Sequence, residues 1–295
     1  MRDYLQIHLV VLAWGFTSIL GKLIRIPAVE VTIWRTGIAA LLLIVIARIL
    51  GVNLRVTRKD LLPMLGTGML IGVHWALFFL SARLATASVC LAAMPTIMIW
   101  CSILEPMIRR SWKWNWVELV VGAVVVGAVW MIYQVEMKYW QGFTVGLISA
   151  VFAAVFSVIN KSLTMQHHPV RLCAWQMIGA CGTCVALLPV LGSGRMSLPD
   201  WPDVGWLLIL ALVCTVGAYI GYLDVLRRIS VFSVNVVYNL EPVYGILMAS
   251  LFLGQSERMS AGFYGGAGII MIAVLGLPWL NRWTGGRVRK IEIIP

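Results

Sequence analysis

The stretch VEVTIWRTGIAALLLIVIARIL, residues 29–50, is 22 residues long and carries three charged side chains, two of them close to its ends. At about 1.5 Å per residue, a helix of this length crosses the hydrocarbon core of a bilayer, roughly 30 Å thick. Nine other runs of similar length and composition occur along the chain, so the sequence predicts ten membrane-spanning helices. The predicted spans are Leu5 to Leu23, Val29 to Leu50, Leu61 to Leu80, Ala85 to Ile103, Trp116 to Tyr133, Trp140 to Ile159, Val170 to Leu191, Val204 to Tyr222, Val231 to Leu253 and Ala261 to Leu280.

The composition supports the same conclusion. Apolar residues make up 61% of the 295-residue chain, charged residues make up 12%, and the mean hydropathy is +0.91. These values exclude a water-soluble domain of this size. Strands of a membrane barrel are short and alternate in hydropathy, whereas these runs are long and continuous. The sequence therefore predicts an all-α integral membrane protein whose surroundings are the lipid bilayer.

The connection near Val135 to Tyr139 leaves five predicted spans on each side. Because five is odd, the second half enters the membrane from the opposite side, which is the pattern of an inverted repeat. We assign residues 1–135 to the first five-helix repeat, 136–283 to the second and 284–295 to a cytoplasmic tail. Inverted repeats of this kind are the usual architecture of secondary transporters.

The cations indicate the orientation in the membrane. With the N-terminus in the cytoplasm, 16 Lys and Arg residues fall on the inner side, six fall on the outer side, and Arg35 lies within a span. This asymmetry satisfies the positive-inside rule and predicts that both termini are cytoplasmic. The net charge of +11 is spread over short loops, not along an aromatic-lined stripe, so we expect no nucleic-acid partner.

Two prolines occupy corresponding positions in the two halves. Pro95 lies within the fourth predicted span and Pro242 within the ninth. A proline removes one helical hydrogen bond, and the carbonyl that it frees is tolerated in lipid mainly beside protein or a wet cavity. Paired kinks of this kind point to a transport pathway. The alternative is that prolines are simply common in membrane helices.

Glu241 is the candidate for proton coupling. It lies about ten residues into the ninth predicted span, beside Pro242, where burial favours the neutral form of a carboxyl group. The alternative is a structural glutamate held by a freed backbone group or by Arg35. Arg35 itself is the candidate anion contact because its planar fork matches a carboxylate. The alternative for Arg35 is that its side chain extends to the outer interface.

Further candidates come from three other spans. His74, with Phe78 one turn away, is a candidate substrate contact or proton relay, or else an interhelical hydrogen-bonding group. Asn235, Tyr238 and Glu241 recur every three residues and share one polar face. Such a face on a membrane helix points at a cavity or a partner helix. The remaining members of the predicted substrate wall are Asn239, Trp14, Trp175 and Gln176, the two tryptophans being equally consistent with packing.

Four segments, "AWGFTSILGK" (13–22), "WRTGIAALLL" (34–43), "SARLATASV" (81–89) and "NLEPVYGILMASLFLGQ" (239–255), resemble the drug/metabolite transporter superfamily. The similarity is to proteins built from two EamA domains, and it extends over about residues 5 to 280. It implies a ten-helix carrier of the bacterial inner membrane with a central cavity lined by the first four helices of each repeat. One departure is Gln255, where the family usually has an acidic residue in "LGE".

The resemblance implies export of amino acids, other small metabolites, toxic compounds or nucleotide-sugar-like solutes. A single buried arginine argues against multiply charged phosphates, so we predict a secondary active exporter of amino acids or related zwitterionic or neutral solutes, with the proton as candidate coupling ion. The alternatives are a facilitative uniporter or a metabolite exchanger. Substrate identity, direction of transport and stoichiometry stay open, as does the choice between monomer and homodimer.

The sequence lacks the signatures of two other classes of membrane protein. An intramembrane enzyme would need a catalytic motif, and the sequence contains no HExxH, no GxSxG and no pair of membrane aspartates. A sensor of the retinal type would need a lysine in mid-helix, and Lys22 and Lys161 lie at helix ends.

His167 and His168 lack a third ligand nearby, so no metal is expected. Without a nucleotide-binding motif either, no cofactor is expected.

Overall fold

The computed structural model describes residues 2–108, 116–192, 194–226, 228 and 237–283. All regular secondary structure within these residues is helical, as predicted. The helices are α1 (Arg2–Leu23), α2 (Ala28–Ile49), α3 (Arg58–Leu84), α4 (Ala87–Ala93), α5 (Ile97–Ile108), α6 (Trp116–Val135), α7 (Trp140–Gln166), α8 (Pro169–Leu191), α9 (Trp201–Ala211), α10 (Ala218–Leu226), α11 (Glu241–Leu253) and α12 (Ala261–Trp283).

Seven of the predicted spans coincide with helical segments that are long and apolar enough to cross a membrane. The fifth and tenth coincide with the shorter apolar segments Val120–Val135 and Ala261–Leu277. The ninth differs from the prediction of one continuous helix over 231–253. Residues 231–236 lie outside the described residues, residues 239–240 form a turn, and α11 begins only at Glu241. The turn precedes Pro242, which has no N–H to continue a helical ladder.

The bundle has two ends, which we define by the N-terminus. The proximal end contains the start of α1, and the distal end contains the loops at 24–27, 85–86, 136–139, 192–200 and 254–260. Hydrogen bonds join the distal loops to one another. Lys22 Nζ donates to the carbonyl of Ala85 at 2.8 Å, and Arg83 Nη2 donates to the carbonyl of Ile24 at 2.8 Å. These bonds occupy backbone carbonyls that the ends of α1 and α3 leave free.

The helices of the two halves pack mainly against each other. α3 lies between α7 and α8, α2 packs on α8, and α1 packs on α11 and α10. On the other side of the bundle, α4 and α5 pack on α7, and α6 packs on α12. The polar residues of the interior consequently lie at junctions between the halves.

Three spans are interrupted within the bundle. α4 ends at Ala93 and a single 3₁₀ turn, Met94–Thr96, precedes α5, so this break contains Pro95. The break before α11 is followed at once by Pro242. Between α9 and α10 the chain widens into a π turn, Leu212–Gly217. Such turns free backbone groups from the regular helical ladder and frequently mark functional sites.

Close packing of α3 on α8 depends on small residues. A Cβ atom added to Gly72 would lie 2.7 Å from the carbonyl oxygen and 2.9 Å from the Cα of Ala180. Both are backbone atoms, which cannot move aside as a flexible side chain can. Gly262 and Gly266 of α12 likewise approach Val135 and Ile132 of α6. These glycines therefore pack within the chain.

We expect Gly72→Ala to lower the free energy of unfolding by about 1–3 kcal/mol, because the added methyl group overpacks the α3–α8 contact. Thermal unfolding in detergent, followed by tryptophan fluorescence, measures the effect. Gly66→Ala is the matched control, since a Cβ at Gly66 on the same helix meets nothing within 4 Å. Equal unfolding temperatures for the two variants would contradict the packing described here.

Candidate functional site

A narrow cleft lies where the two proline-containing breaks face each other. One wall comes from the 3₁₀ turn and the start of α5, and the other comes from the turn before α11 and the start of that helix. The lining combines apolar side chains with polar groups. Its lining residues are Met94, Pro95, Ile97, Met98, Tyr238, Asn239, Glu241 and Pro242.

Asn239 contributes an unsatisfied donor to this cleft. The residue is 5% exposed, and its side-chain Nδ2 has no hydrogen-bond partner. A buried amide left without a partner costs about 1–3 kcal/mol of stability, and most such groups in folded proteins are paired. The amide N–H is therefore available to a ligand in the cleft.

Glu241 lies beside Asn239 as the first residue of α11, and it is 8% exposed. The Tyr238 side chain lines the same cleft. The helix dipole at the amino end of α11 favours a negative charge at this position. Among the described residues, no ion pair shorter than 4 Å includes Glu241. In the described part of the chain, therefore, no salt bridge neutralises its carboxylate.

Arg35 is held inside the bundle and does not reach the interface, being 2% exposed. Its Nε donates to Thr215 Oγ1 at 2.6 Å, and its Nη2 donates to the carbonyl of Cys214 at 3.5 Å. Both acceptors belong to the π turn. The guanidinium plane also lies over the ring of Trp75, with 3.7 Å between Cζ and the ring centroid. Stacking and hydrogen bonding together fix the orientation of this cation.

An aromatic cluster adjoins the cleft through Tyr238. The Trp14 ring lies 5.4 Å from the ring of Tyr222 and 5.5 Å from that of Tyr238, measured between centroids. Tyr219 continues the cluster at 6.4 Å from Tyr222. The cluster joins α1 and α10 to the turn before α11. It provides an apolar surface with polar edges next to Asn239 and Glu241.

A network of neutral polar side chains joins four helices on the proximal side of the aromatic cluster. Gln176 Nε2 donates to Asn160 Oδ1 at 2.7 Å and to Thr67 Oγ1 at 3.0 Å. Asn160 Nδ2 donates to the Tyr219 hydroxyl at 2.8 Å, and that hydroxyl donates to Gln176 Oε1 at 3.2 Å. The Gln176 side chain is thus saturated by α3, α7 and α10.

His74 joins α3 to α7. Its Nδ1 lies 2.8 Å from Ser149 Oγ and 3.0 Å from the Ser149 carbonyl oxygen, and Ser149 Oγ also donates to the His74 carbonyl at 2.8 Å. Phe78 and Phe156 flank the ring at 6.2 and 5.8 Å between centroids. These contacts agree with the interhelical hydrogen-bonding alternative stated for His74.

The structure thus brings together Trp14, Tyr238, Asn239 and Glu241 of the predicted substrate wall. Trp175 lies elsewhere, since its Nε1 donates to the carbonyl of Leu54 at 2.9 Å in the loop between α2 and α3. Asn235 lies outside the described residues. No group of three or more His, Cys, Asp or Glu side chains that could hold a metal occurs in the described part of the chain.

Sequence reasoning missed the contribution of the eighth predicted span. Thr215, Tyr219 and Tyr222 occur there at intervals of four and three residues, so they share a helical face. The same spacing rule that singled out Asn235, Tyr238 and Glu241 would have identified them. Ser149 and Asn160 carry no comparable signal, because each is an isolated polar residue in an apolar run.

Comparison with known proteins is consistent with these features. The pseudopaline exporter CntI of Pseudomonas aeruginosa is 29% identical over 218 residues, which is 71% of this chain and 74% of that protein. A probable terminal-alkyne amino-acid exporter of Streptantibioticus cattleyicolor is 24% identical over 265 residues, 87% of this chain and 84% of that protein. One crystal structure superimposes with a TM-score of 0.67 over 98% of this chain and 99% of its own, at 13% identity, and so shares the fold.

The family model described as "EamA-like transporter family" matches two stretches of the chain, residues 1–134 and 140–278. Together they include nearly all of the described helices and the whole of the cleft. The predicted resemblance is therefore confirmed, and the chain is a membrane-embedded transporter that belongs to the EamA-like transporter family.

Proposed function

We propose that this transporter is a secondary active exporter of amino-acid-like zwitterions. It works by alternating access of two inverted five-helix repeats, residues 1–135 and 136–283, around the cleft. Both termini, including the tail at 284–295, face the cytoplasm of a bacterial inner membrane. The proton is its coupling ion and Glu241 the proton-binding group. The single observation that carries the proposal is the buried, unpartnered amide of Asn239 beside Glu241.

The packing of the helices supports the inverted repeat. α3, the third span of the first half, packs on α7, the first span of the second half; α10, at the corresponding place in the second half, packs on α1. The broken fourth span likewise packs on α7 while α11 packs on α1. Exchanging the halves therefore maps these contacts onto one another. The family match also divides into two stretches of similar length.

The groups around the cleft support a zwitterionic substrate. Glu241 offers an acceptor for an ammonium group, Asn239 offers a donor, and the buried Arg35 cation is held in a fixed orientation by Thr215 and Trp75. Trp14 and the tyrosines beside it suit an amphipathic side chain. Two similar proteins are named as exporters of pseudopaline and of an amino acid. The nucleotide-sugar alternative would require several cations, and Arg35 is the buried arginine of the described interior.

Proton coupling rests on the location of Glu241. A carboxyl group in a mostly apolar cleft binds a proton readily when no ion pair holds its charge. An ammonium group and a proton would then compete for the same oxygen atoms. Competition of this kind links export of the substrate to entry of a proton without any further site.

We expect Asn239→Ala to raise the half-saturating solute concentration by about tenfold or more, since hydrogen bonds to charged groups contribute about 1.5–3 kcal/mol. The variant should be at least as heat-stable as the wild type, because it removes a buried group that lacks a partner. Counterflow of radiolabelled amino acids in proteoliposomes and thermal unfolding measure the two effects. Ser250→Ala, an exposed change on α11, is the control. Reduced stability with unchanged affinity would instead make Asn239 a structural residue.

A further inference from the structure

Four carboxylates at the distal end are buried although each lies at or near the end of a predicted span. All four are at most 6% exposed. Buried carboxylates require partners, because desolvation of an unpaired charge is costly. Each of the four carboxylates accepts a hydrogen bond from a backbone N–H group. The four residues are Glu30, Glu136, Asp203 and Glu257.

Glu257 binds the start of α4. Its Oε1 accepts from the N–H of Ala87 at 3.0 Å, and its Oε2 accepts from the N–H of Ser88 at 2.9 Å. Both amides belong to the first turn of the helix, where backbone donors have no intrahelical partner. A carboxylate at this position also interacts favourably with the helix dipole. The loop before α12 is thereby attached to the fourth span of the other half.

Two further carboxylates connect the halves in the same way. Glu30 of α2 accepts from the N–H of Ser197 at 2.8 Å, which attaches the first half to the loop after α8. Asp203 of α9 accepts from the N–H of Arg25 with both oxygens, at 3.1 and 3.2 Å, which attaches the second half to the loop after α1. Glu136, in the connection between the halves, accepts from the N–H of Ser260 at 2.8 Å.

At the proximal end, the charged groups form exposed ion pairs and not buried bonds to backbone amides. Arg228 forms ion pairs with Asp3 and Asp224 at 2.6 Å each, and all three side chains are between 32% and 49% exposed. Exposed ion pairs contribute about 0–1 kcal/mol, whereas charge-assisted bonds out of water are stronger. Among the charged side chains of the described residues, therefore, the distal carboxylates form the stronger contacts between the halves.

We propose that Glu30, Asp203 and Glu257 form a latch that closes the distal end of the transporter and opens as a unit. The inference rests on the alternating access proposed above, in which the distal end must open for solute to leave. Each of these three carboxylates accepts from an amide of the opposite half. Rocking of the halves therefore separates all three from their amides at the same time.

Glu257 ends the 3₁₀ turn Gly254–Glu257, which starts from a glycine with φ of +60°. Gln255 in the same turn is exposed, whereas Glu257 is buried against α4.

Hydrogen–deuterium exchange of the protein in nanodiscs tests whether the latch is cooperative. In Glu257→Gln, exchange should rise by about tenfold or more at Ala87 and Ser88, and also at the distant amides of Arg25 and Ser197. Asp203→Asn should raise exchange at the same four amides, so the test does not depend on the folding of a single variant. Gln255→Ala, an exposed change in the loop that contains Glu257, should leave all four amides protected.

An increase confined to the amides that the altered carboxylate binds, in both variants, would overturn the latch. The exchange experiment needs no substrate, so its outcome is separable from the proposed function. A cooperative increase in a protein that moves no amino acid would support the latch and contradict the substrate class. Purely local increases in a protein that does transport amino acids would contradict only the latch.

Discussion

Glu241→Gln is expected to abolish uphill transport driven by a pH gradient, with at least a hundredfold loss, and to leave exchange of solute at equal pH measurable. Glutamine has nearly the same shape, and its carbonyl oxygen still accepts a hydrogen bond from a substrate ammonium group. It cannot bind and release a proton. If the carboxyl group of Glu241 is where substrate and proton compete, the substitution removes the competition while preserving the cleft.

Purified protein in proteoliposomes allows both modes to be measured on one sample. Flux with an imposed pH gradient reports coupling, and counterflow without a gradient reports binding and the conformational cycle. Asp60→Asn is the control, because it removes a carboxylate at the proximal end of α3, remote from the cleft. A glutamine variant that still concentrates solute in response to the gradient would return Glu241 to a structural role.

Arg35→Lys is expected to reduce selectivity for a free carboxylate by about tenfold or more. Lysine keeps the charge but loses the planar stacking on Trp75 and the fixed bond to Thr215, so the cation is no longer held in one orientation. The measurement is the ratio of half-saturating concentrations for an amino acid and its carboxamide. The ratio should fall towards one, while the maximal rate changes less than the affinity.

Thr215→Val tests how the orientation of Arg35 contributes to selectivity without changing the charge of Arg35. Valine has nearly the shape of threonine and leaves Arg35 in place, but it removes the acceptor for Nε. We expect an intermediate loss of selectivity with normal folding, since Trp75 still stacks on the guanidinium group. If both variants bind the amino acid and its carboxamide in the wild-type ratio, then Arg35 acts only in packing.

The spans and the core of the site were predictable because their signals are local. Runs of about 20 apolar residues identify helices without knowledge of the fold. Tyr238, Asn239 and Glu241 lie within four residues of one another, so their proximity in the cleft follows from the chain itself. The break before Pro242 is local as well, although its extent, with α11 starting only at Glu241, was not foreseen.

The contacts between helices were not predictable from the sequence. Arg35 and Thr215 are 180 residues apart, and His74 and Ser149 are 75 apart. Which faces meet depends on the rotation of each helix about its axis, and helices that are apolar all round show no polar stripe that would indicate this rotation.

The latch could not be predicted from the sequence for a different reason. Glu30 and Glu257 lie at helix ends, where sequence reasoning expects a carboxylate to be solvated, and only the packing of loops buries them.

The most direct test of the central claim is competition by three forms of one amino acid during counterflow: the free zwitterion, its carboxamide and its N-acetyl derivative. A site built from Glu241, Asn239 and Arg35 should accept the zwitterion at least tenfold more tightly than either derivative. The carboxamide lacks the charge that would pair with Arg35, and the N-acetyl derivative lacks the charge that would pair with Glu241. Equal competition by all three forms would show that the site does not recognise the two charges, and would contradict the proposed zwitterion exporter.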